Sequence, residues 1–435
     1  MSDRLEIVPL ARPPSAAVEV PGSKSITNRA LVLAALCGRD QPCEVTNCLR
    51  SEDTEVMLAA LGALEFNLEV DWEAARVRVG SRCLHKRIPA MHADLFAGNS
   101  GTTMRFLTAM VCLGHGRYRL DGVPRMRERP IGDLLEALRQ LGVRAISEGA
   151  KDCPPVRIET DGMPGGRVRI KANISSQFLS GLLLAAPFAH GDIEIQVEDT
   201  LVSRPYVEMT LRMMDDWGLT VLREWQESRF LIPAPQSPYG GIRYRVEPDA
   251  SAASYFFAAA AITGGRVTVL GIPENSLQGD VRFVDLLADM GCRVERCSSG
   301  ITVHGRPLRG IDVDMNDISD TVMTLAAVAC FAEGPTTIRN VAHIRHKETD
   351  RLAALAAELR RVGAEVEEFA DGLRITPRPL HGADIETYND HRMAMSLALV
   401  GLKVPGVVIK DPGCVAKTYP EFFSDLEKLR DATSP

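Results

Sequence analysis

Lysine, serine and asparagine residues crowd the start of an apolar segment near the N-terminus, where residues 21–36 read PGSKSITNRALVLAAL. A helix beginning here would present free backbone N–H groups and a positive dipole end, both of which favour anions. The glycine spacing of a nucleotide-binding loop is missing, because Ala17 lies five residues before Gly22 and Ser23 separates Gly22 from Lys24. Taken alone, the stretch is better explained as an ordinary serine N-cap beside an exposed lysine.

The same pattern of polar residues followed by an Ala-, Leu- and Met-rich segment recurs along the chain. Its six copies start at Ser23, Asn99, Ser175, Ala250, Ser319 and Asn389. They lie about 70 to 76 residues apart, and a fixed period of this kind is typical of repeat architectures. Because helices that are apolar on every side must be buried, the pattern predicts six buried helices.

A second, amphipathic type of helix shares this period, and a strand follows its terminal glycine. Four clear copies end at Gly142, Gly218, Gly291 and Gly363, with weaker copies near Gly62 and at 422–429. In the copy ending at Gly363, one face carries Leu352, Leu355, Leu359 and Val362. We therefore expect an α/β fold of two domains, each with three repeats whose buried helices are surrounded by sheets and outer helices. The polar helix starts would then face one shared cleft.

Cations recur at and near these helix starts in a chain whose net charge is −7. They are Lys24, Arg29, Arg105, Arg125, Arg127, Arg129, Arg345, Lys347, Arg351, Arg392 and Lys417. At helical spacing Lys347 and Arg351 would repel each other, although Glu348 and Asp350 offset part of that repulsion. For that motif alone, a solvated ion-pair network is an equally good interpretation. Taken together, the cations predict a site for small, multiply charged carboxylates and phosphates.

The composition of the 435-residue chain excludes several classes of protein. It is 45% hydrophobic and 25% charged, which indicates a globular protein of two or three domains. The acidic balance and the few aromatic residues disfavour a nucleic-acid partner. The sequence contains neither a recognisable signal peptide nor a segment typical of a membrane span. Ten scattered cysteines without metal-ligand spacing predict reduced thiols, a cytoplasmic location and no metal.

Seven motifs, in chain order, resemble the 5-enolpyruvylshikimate-3-phosphate (EPSP) synthase family of enolpyruvyl transferases. They are PGSKSITNRALVLAAL, GNSGTTMRFL, PRMRERPIGDLLEAL, SSQFLSGLL, DISDTVMTLA, KETDRL and YNDHRMAM. The resemblance runs from about residue 20 to the C-terminus and implies a two-domain inside-out α/β barrel. One domain would span residues 22–245, and the other would combine 246–435 with 1–21. The active site would lie in the interdomain cleft, which would close on binding.

The resemblance implies transfer of the enolpyruvyl group of phosphoenolpyruvate to the 5-hydroxyl of shikimate 3-phosphate, with release of phosphate. The hydroxyl adds to C2 while C3 is protonated, and the resulting tetrahedral ketal then eliminates phosphate. This is a step of the shikimate pathway to aromatic amino acids and requires no cofactor or metal. The resemblance also implies inhibition by the herbicide glyphosate, which imitates phosphoenolpyruvate, and we expect a monomer.

Carried over by motif, the resemblance assigns three sets of residues. Proton transfer would fall to Asp320 at the 5-hydroxyl and to Glu348 at C3, with Lys24 assisting. Asp320 is predicted at a helix start, where the dipole stabilises its ionised form. The residues expected to meet shikimate 3-phosphate are Ser23, Arg29, Ser175, Ser176, Gln177, Ser203, Tyr206, Asp320 and Lys347. Those expected to meet phosphoenolpyruvate are Lys24, Gly101, Arg129, Gln177, Arg351, His391, Arg392 and Lys417.

The sequence departs from the family pattern near Gly101. Where many members read GNAGTAMRP, this chain has Ser100, Thr103 and Phe106. Proline fixes φ and removes a donor, so its absence is expected to shift the helix start slightly and to alter sensitivity to glyphosate. His343 stands where relatives often carry asparagine and is therefore left out of the substrate set.

Two alternatives remain at this stage. The sister enolpyruvyl transferase acting on UDP-N-acetylglucosamine shares the architecture but typically uses a loop cysteine, and the comparable loop PRMRERP contains none. A non-catalytic anion-binding or RNA-end-binding protein of related fold is the other alternative. A protein of that kind would be expected to have lost Asp320, Glu348 or Lys24, whereas all three are present.

Overall fold

The computed structural model describes residues 3–81, 83 and 85–431, and the chain forms two compact units. The first, here called the middle unit, is Gly22–Val246. The second, here called the N/C unit, joins the residues up to Pro21 with those from Glu247 onward. The chain therefore leaves the N/C unit after Pro21 and returns to it after Val246.

The middle unit contains three four-stranded sheets of the same topology. In each sheet the first two strands run parallel and the remaining neighbours are antiparallel. The strand orders are Arg243–Arg245, Cys43–Thr46, Arg76–Ser81, Phe66–Asp71; His92–Phe96, His115–Asp121, Val156–Asp161, Arg144–Ser147; and Gly166–Ile170, Ile193–Val197, Arg229–Ile232, Leu222–Glu224.

The N/C unit contains two four-stranded sheets of this topology and one three-stranded sheet, and two of its sheets each include one strand from the N-terminus of the chain. Each of its sheets also contains one parallel pair of strands. The strand orders are Ser15–Val18, Arg266–Leu270, Gly300–His304, Arg293–Cys297; Asp312–Asp314, Thr336–Arg339, Gly372–Thr376, Glu365–Phe369; and Asp384–Ile385, Val407–Lys410, Arg4–Ile7.

Six apolar helices, here called the inner helices, each lead into one strand of a parallel pair. In the middle unit they are Lys24–Cys37, Gly101–Met110 and Ser176–Ala185, and in the N/C unit Ala250–Thr263, Val322–Ala329 and His391–Gly401. Within each unit the three inner helices pack against one another and are buried nearly throughout, which confirms the predicted buried helices. No helix in the described part of the chain has the length and apolarity needed to cross a membrane.

The second and third inner helices of the middle unit approach each other closely at Gly181. A Cβ at this position would lie 2.9 Å from the backbone oxygen of Arg105, nearer than ordinary van der Waals contact. The absence of a side chain therefore lets the two helices meet backbone to backbone. This contact brings the polar start of one helix, at Gly101, next to that of the other, at Gln177.

Six amphipathic outer helices cover the units. They are Glu52–Ala63, Gly132–Gln140, Arg204–Asp216, Phe283–Asp289, Arg351–Arg361 and Phe422–Asp431. The apolar face predicted for the helix ending before Gly363 is confirmed, because Leu352, Leu355, Leu359 and Val362 are all buried. The strand that follows it, Glu365–Phe369, buries only Val366, and its other residues are exposed.

Short 3₁₀ turns fill many of the connections and carry several polar residues discussed below. They are Val111–Leu113, Met126–Glu128, Ala150–Asp152, Ala186–Phe188, Trp225–Glu227, Gly279–Arg282, Asn316–Thr321, Ala342–His346 and Pro412–Lys417.

Candidate active site

Lys24 is the first residue of the first inner helix, and its ammonium group lies 3.3 Å from the carboxylate of Asp53. Asp53 is 2% exposed and belongs to the first turn of the following helix. In that turn the backbone N–H of Ser51 donates to Oγ1 of Thr54 over 3.0 Å. A buried acid therefore sets the position of the lysine charge. The sequence analysis missed Asp53, and the serine-to-threonine capping pattern was the only signal nearby.

The two serines that flank Lys24 differ in exposure. Ser23 is the N-cap residue and is buried, and its carbonyl oxygen accepts the N–H of Thr27 over 2.8 Å. Ser25, which the sequence analysis did not select, is only half-buried. By exposure, Ser25 is better placed than Ser23 to contact a ligand, and the ligand role of Ser23 stays a prediction.

Arg29 lies almost wholly inside the middle unit, where its guanidinium donates to protein oxygens. Nε donates to Oγ1 of Thr210 over 2.8 Å, and the two terminal nitrogens donate to the backbone oxygens of Ser25 and Tyr206 over 3.0 and 3.1 Å. Burial lowers the pKa of Arg29 to about 10, so it remains charged at neutral pH. These bonds tie the first inner helix to the helix that carries Tyr206. A direct contact with shikimate 3-phosphate stays a prediction.

Two arginines and one amide surround Gly101 at the start of its inner helix. A Cβ there would lie 2.7 Å from a terminal nitrogen of Arg105, 2.7 Å from one of Arg129 and 3.0 Å from Oε1 of Gln177. Both arginines are buried. The space next to Gly101 is therefore lined by two guanidinium groups, a geometry suited to a carboxylate or phosphate.

Hydrogen bonds from Arg129 and from Thr103 hold the turn before Gly101 in place. Arg129 donates from Nη1 to the backbone oxygen of Asn99 over 2.9 Å and to its side-chain oxygen over 3.2 Å. Ser100 is the N-cap, and its hydroxyl oxygen accepts both the N–H and the hydroxyl of Thr103. Ser100 and Thr103, two of the departures from the family pattern, thus stabilise the helix start together.

Phe106, the third departure, is fully buried within the same helix. The guanidinium carbon of Arg29 lies 5.1 Å from the centre of its ring, a cation–π contact. The helix is continuous from Gly101 through Phe106. Phe106 therefore bears on the candidate site through Arg29 and through the helix backbone.

The polar start of the third inner helix carries the predicted Ser175, Ser176 and Gln177. Ser175 is the N-cap and accepts the N–H of Gln177 over 3.3 Å. Ser203 precedes the helix that carries Tyr206 and has a left-handed backbone, with φ of 51°. The middle unit therefore presents two hydroxyl-rich helix starts, suited to binding a phosphate.

Arg351 is the centre of the candidate site in the N/C unit, with a side chain only 1% exposed. Nε donates to Oδ2 of Asp390 over 2.8 Å, Nη2 to Oε2 of Glu348 over 2.8 Å and Nη1 to Oδ1 of Asp320 over 3.2 Å. Burial alone would lower the pKa of Arg351, but the three carboxylates raise it above its ordinary value. The arginine is permanently charged and holds the two predicted proton-transfer residues, Asp320 and Glu348, on one guanidinium.

Asp320 lies between two arginines. Its Oδ1 accepts from Arg351, and its Oδ2 accepts from Nη2 of Arg392 over 2.8 Å. The α-helix begins two residues later than predicted, at Val322, and Asp320 belongs to the preceding 3₁₀ turn. The two guanidinium groups stabilise the ionised Asp320 directly. A contribution from the helix dipole stays a prediction.

Lys347 lies outside a helix. It follows the turn Ala342–His346, and the helix begins only at Arg351, with Asp350 as its N-cap. The helical repulsion considered for Lys347 and Arg351 therefore does not apply. Glu348 is buried, and Lys347 is half-buried.

His343 is also buried near Asp320 and Lys347. Burial, followed by the nearby charge of Lys347, lowers the pKa of His343 to about 3. His343 is therefore neutral near pH 7, and it can offer an N–H without adding positive charge to the site.

The last inner helix begins with His391 and Arg392, and both are buried. Asp390, its N-cap, accepts the N–H of Arg392 over 2.9 Å and lies 3.7 Å from Nδ1 of His391. Lys417 is buried at the end of its 3₁₀ turn. One buried acid, absent from the predicted set, thus caps this helix and also holds the side chain of Arg351.

Arg392 also reaches two hydroxyl groups that the sequence analysis missed. Nη1 donates to the Tyr255 hydroxyl and Nη2 to Oγ of Ser251, each over 3.4 Å. Ser251 in turn donates to Oδ2 of Asp280 in a very short hydrogen bond. Nothing in the residue pattern around Asp280 signalled this contact, because it joins segments about 30 residues apart.

Two chemical capacities follow from this geometry. Guanidinium groups in both units can bind anionic groups, and carboxylates held on Arg351 can exchange protons with a bound substrate. Among residues 3–81, 83 and 85–431 there is no group of three His, Cys, Asp or Glu side chains placed to hold a metal ion.

The chain is similar to known proteins over almost its whole length. The profile of a family described as EPSP synthase (3-phosphoshikimate 1-carboxyvinyltransferase) matches residues 11–426. A Nostoc punctiforme protein named 3-phosphoshikimate 1-carboxyvinyltransferase is 52% identical over 423 residues, covering 97% of this chain and 98% of the relative. A chloroplastic protein of that name from Solanum lycopersicum is 48% identical over 430 residues, covering 95% of this chain and 82% of the relative.

Solved structures agree with the sequence relatives. The EPSP synthase of Acinetobacter baumannii superposes with a TM-score of 0.80 at 26% identity and covers 98% of both chains. The enolpyruvyl transferase NikO of Streptomyces tendae, at 21% identity and a TM-score of 0.76, shares the fold. The predicted α/β fold with buried helices, sheets and outer helices is thereby confirmed.

Proposed function

The chain belongs to the EPSP synthase family, and from this premise we propose which of its side chains bind the substrates and move the protons. The enzyme transfers the enolpyruvyl group of phosphoenolpyruvate to the 5-hydroxyl of shikimate 3-phosphate and releases phosphate. The UDP-N-acetylglucosamine and non-catalytic alternatives are thereby set aside.

The reaction moves one proton on and one proton off the enolpyruvyl group. The 5-oxygen forms a bond to C2 as its proton leaves, and C3 gains a proton to become a methyl group. In the second half, the C2–phosphate bond breaks and the methyl group loses a proton, which restores the double bond. The protein must therefore supply a proton acceptor, a proton donor and cations for the carboxylate and phosphate.

We assign the binding residues from the motifs together with the observed geometry. Helix-start hydroxyls and cations suit shikimate 3-phosphate, for which the proposed ligands are Ser23, Arg29, Ser175, Ser176, Gln177, Ser203, Tyr206, Asp320 and Lys347. Buried guanidinium groups suit phosphoenolpyruvate, for which they are Lys24, Gly101, Arg129, Gln177, Arg351, His391, Arg392 and Lys417. The paired arginines beside Gly101 support the second set.

Asp320 is the proposed acceptor of the 5-hydroxyl proton, and Glu348 is the proposed proton-transfer group at C3, with Lys24 assisting. The observation that carries this proposal is the shared hold of Arg351 on both carboxylates. A carboxylate paired with two arginines is a weak base. When the anionic groups of phosphoenolpyruvate engage Arg351 and Arg392, Asp320 is released from part of that pairing and becomes a better proton acceptor.

The test of the proposed function is acceptor-dependent release of phosphate from phosphoenolpyruvate. Shikimate 3-phosphate should support release, whereas UDP-N-acetylglucosamine and buffer alone should not. Release with UDP-N-acetylglucosamine alone would transfer the chain to the sister activity. Release with neither acceptor would contradict the proposed chemistry.

Three further properties are proposed with this function. Glyphosate should bind at the phosphoenolpyruvate ligands, with a sensitivity altered through Phe106. The chain should act as a monomer, which light scattering of the purified protein checks. A cytoplasmic location is supported by the free thiols of all ten cysteines, since disulfides are rare in reducing compartments.

A further inference from the structure

We propose that Asp280 is a positioning residue for Arg392, which it holds through the hydroxyl of Ser251. The inference rests on the proposed function, in which Arg392 binds phosphoenolpyruvate. Asp280 itself touches neither substrate in this account and acts only through Arg392.

Asp280 lies where three parts of the N/C unit meet. It belongs to the 3₁₀ turn Gly279–Arg282, which packs against both the helix that carries Ser251 and the turn that carries Asp320. The residue is only 3% exposed. Burial of a carboxylate costs free energy unless hydrogen-bond donors or cations compensate its charge. The neighbouring elements are therefore expected to supply the group that compensates Asp280.

The direction of the hydrogen bonds links Asp280 to Arg392. The hydroxyl of Ser251 has one proton, which it donates to Oδ2 of Asp280. Its oxygen is then turned to accept from Nη2 of Arg392, over 3.4 Å. An ionised Asp280 therefore fixes the orientation of the hydroxyl that receives the arginine.

Asp320 and Arg392 depend differently on this chain of contacts. Asp320 keeps a second cation, because Arg351 donates to its Oδ1 over 3.2 Å. Arg392 also donates to Asp320 over 2.8 Å and to the Tyr255 hydroxyl over 3.4 Å. Because Asp280 fixes the hydroxyl that receives Nη2 of Arg392, its loss should shift the guanidinium group and weaken phosphoenolpyruvate binding, while the contacts proposed for shikimate 3-phosphate persist.

The charges around Asp280 make this hold dependent on pH. Asp320 faces it from one turn, Arg392 from the last inner helix and Asp249 from the start of the helix that carries Ser251. Burial and then Asp320 raise the pKa of Asp280 to about 6. Protonation below this pH removes the charge that orients Ser251, so the contribution of Asp280 should fade in mild acid.

Three variants test the inference. Asp280→Asn removes the charge with little change of shape, and Ser251→Ala removes the connecting hydroxyl. Arg282→Gln is the matched control, because Arg282 lies in the same turn and forms an exposed ion pair with Asp317 over 3.0 Å. The Arg282–Asp317 pair joins the turn that carries Asp280 to the turn that carries Asp320. If Asp280 served only to hold these two turns together, the control variant should show a similar loss.

The steady-state constants of the full-length enzyme decide the outcome. We expect KM for phosphoenolpyruvate to rise roughly tenfold in Asp280→Asn and in Ser251→Ala, as for loss of a hydrogen bond to a charged group. KM for shikimate 3-phosphate should change less than about twofold, and the double variant should be no worse than Ser251→Ala alone. Arg282→Gln should behave as the wild type.

A pH series separates positioning from folding. We compare kcat/KM for phosphoenolpyruvate in the wild type with that in Asp280→Asn, because the titration of the substrate cancels in their ratio. This ratio should shrink towards one as pH falls below about 6. Unchanged KM values, additive effects or a ratio independent of pH would overturn the inference. If Asp280→Asn fails to fold, Ser251→Ala decides by its KM values alone. An inactive wild type would instead refute the proposed function.

Discussion

Arg351 donates from Nη1 to Oδ1 of Asp320 over 3.2 Å while remaining almost completely shielded from solvent. Arg392 holds the other oxygen of the same carboxylate over 2.8 Å. In this arrangement, the cations that favour an anionic substrate also restrain the carboxylate that we propose as proton acceptor. Binding and basicity are thereby linked, because an anion that engages the arginines loosens their hold on Asp320.

The side chains packed around Gly101 leave no room for an added methyl group. In Gly101→Ala the added Cβ would lie 2.7 Å from nitrogens of Arg105 and Arg129, and these flexible ends must move. We expect KM for phosphoenolpyruvate and the inhibition constant of glyphosate to rise about tenfold or more, with the KM for shikimate 3-phosphate little changed. Steady-state kinetics measure all three constants.

The control for this prediction is Gly62→Ala on an outer helix. There the Cβ would meet only Leu68, at an ordinary 3.7 Å. The control should leave all three constants unchanged. Equal constants for Gly101→Ala and the wild type would remove Gly101 from the phosphoenolpyruvate site.

Phe106 allows the backbone and side-chain contributions to inhibitor sensitivity to be separated. Phe106→Pro removes a backbone donor within the helix and also the ring near Arg29, whereas Phe106→Leu removes only the ring. We expect the glyphosate inhibition curve to shift in the proline variant and to stay near wild type in the leucine variant. Equal shifts would assign the effect to the ring, and superimposable curves for all three proteins would exclude Phe106.

Glu358 is expected to support the start of the last inner helix. This fully buried residue accepts the N–H of Glu386 over 3.1 Å and the hydroxyl of Tyr388 over 2.8 Å. Tyr388 and Asn389 have left-handed backbones, with φ of 56° and 52°, immediately before Asp390. Such strain persists only where the surroundings hold it.

We expect Glu358→Ala to lower the free energy of unfolding by about 3 kcal/mol and to raise KM for phosphoenolpyruvate, since the strained turn relaxes. Tyr388→Phe, which removes one of the bonds, should have a smaller effect in the same direction. Urea unfolding and steady-state kinetics measure the two quantities. A destabilised Glu358→Ala with wild-type KM would separate this acid from the site.

The raised pKa of Asp280 should make the folded state more stable at low pH, the opposite of the usual effect of a carboxylate. Burial and Asp320 raise its pKa from 3.8 to about 6, so the folded state binds this proton more tightly than the unfolded state does. The stability due to protonated Asp280 is therefore present below about pH 4 and lost as pH rises to about 6, a change of about 2–3 kcal/mol. The difference in unfolding free energy between wild type and Asp280→Asn should fall by that amount across this range. A constant difference would contradict the shift.

The repeat pattern predicted the fold well, because its signal is local. Fully apolar segments with polar starts require burial, and each inner helix was identified at its first residues. Asp320 shows the limit of this signal, because a 3₁₀ turn and a helix start share the same residue preferences. The two arginines that hold its carboxylate, at positions 351 and 392, could not be read from the turn itself.

The candidate site was predictable only where residues lie in motifs. Arg351 and Arg392 were identified from their motifs, but the acids that hold them were only partly identified. Asp53 and Asp280 belong to segments distant in sequence from their partners and have no periodic pattern. Only the three-dimensional contacts reveal that the cations are compensated by buried carboxylates.

The most direct test of the account is phosphate release from phosphoenolpyruvate and shikimate 3-phosphate by Asp320→Asn, with Asp317→Asn as control. Asp317 lies in the same turn but pairs on the surface with Arg282. The account predicts a fall in kcat of about 10²- to 10⁴-fold for Asp320→Asn, far more than any rise in KM for shikimate 3-phosphate. The control should retain wild-type rates. A kcat for Asp320→Asn equal to that of the wild type would contradict the role of Asp320 as proton acceptor.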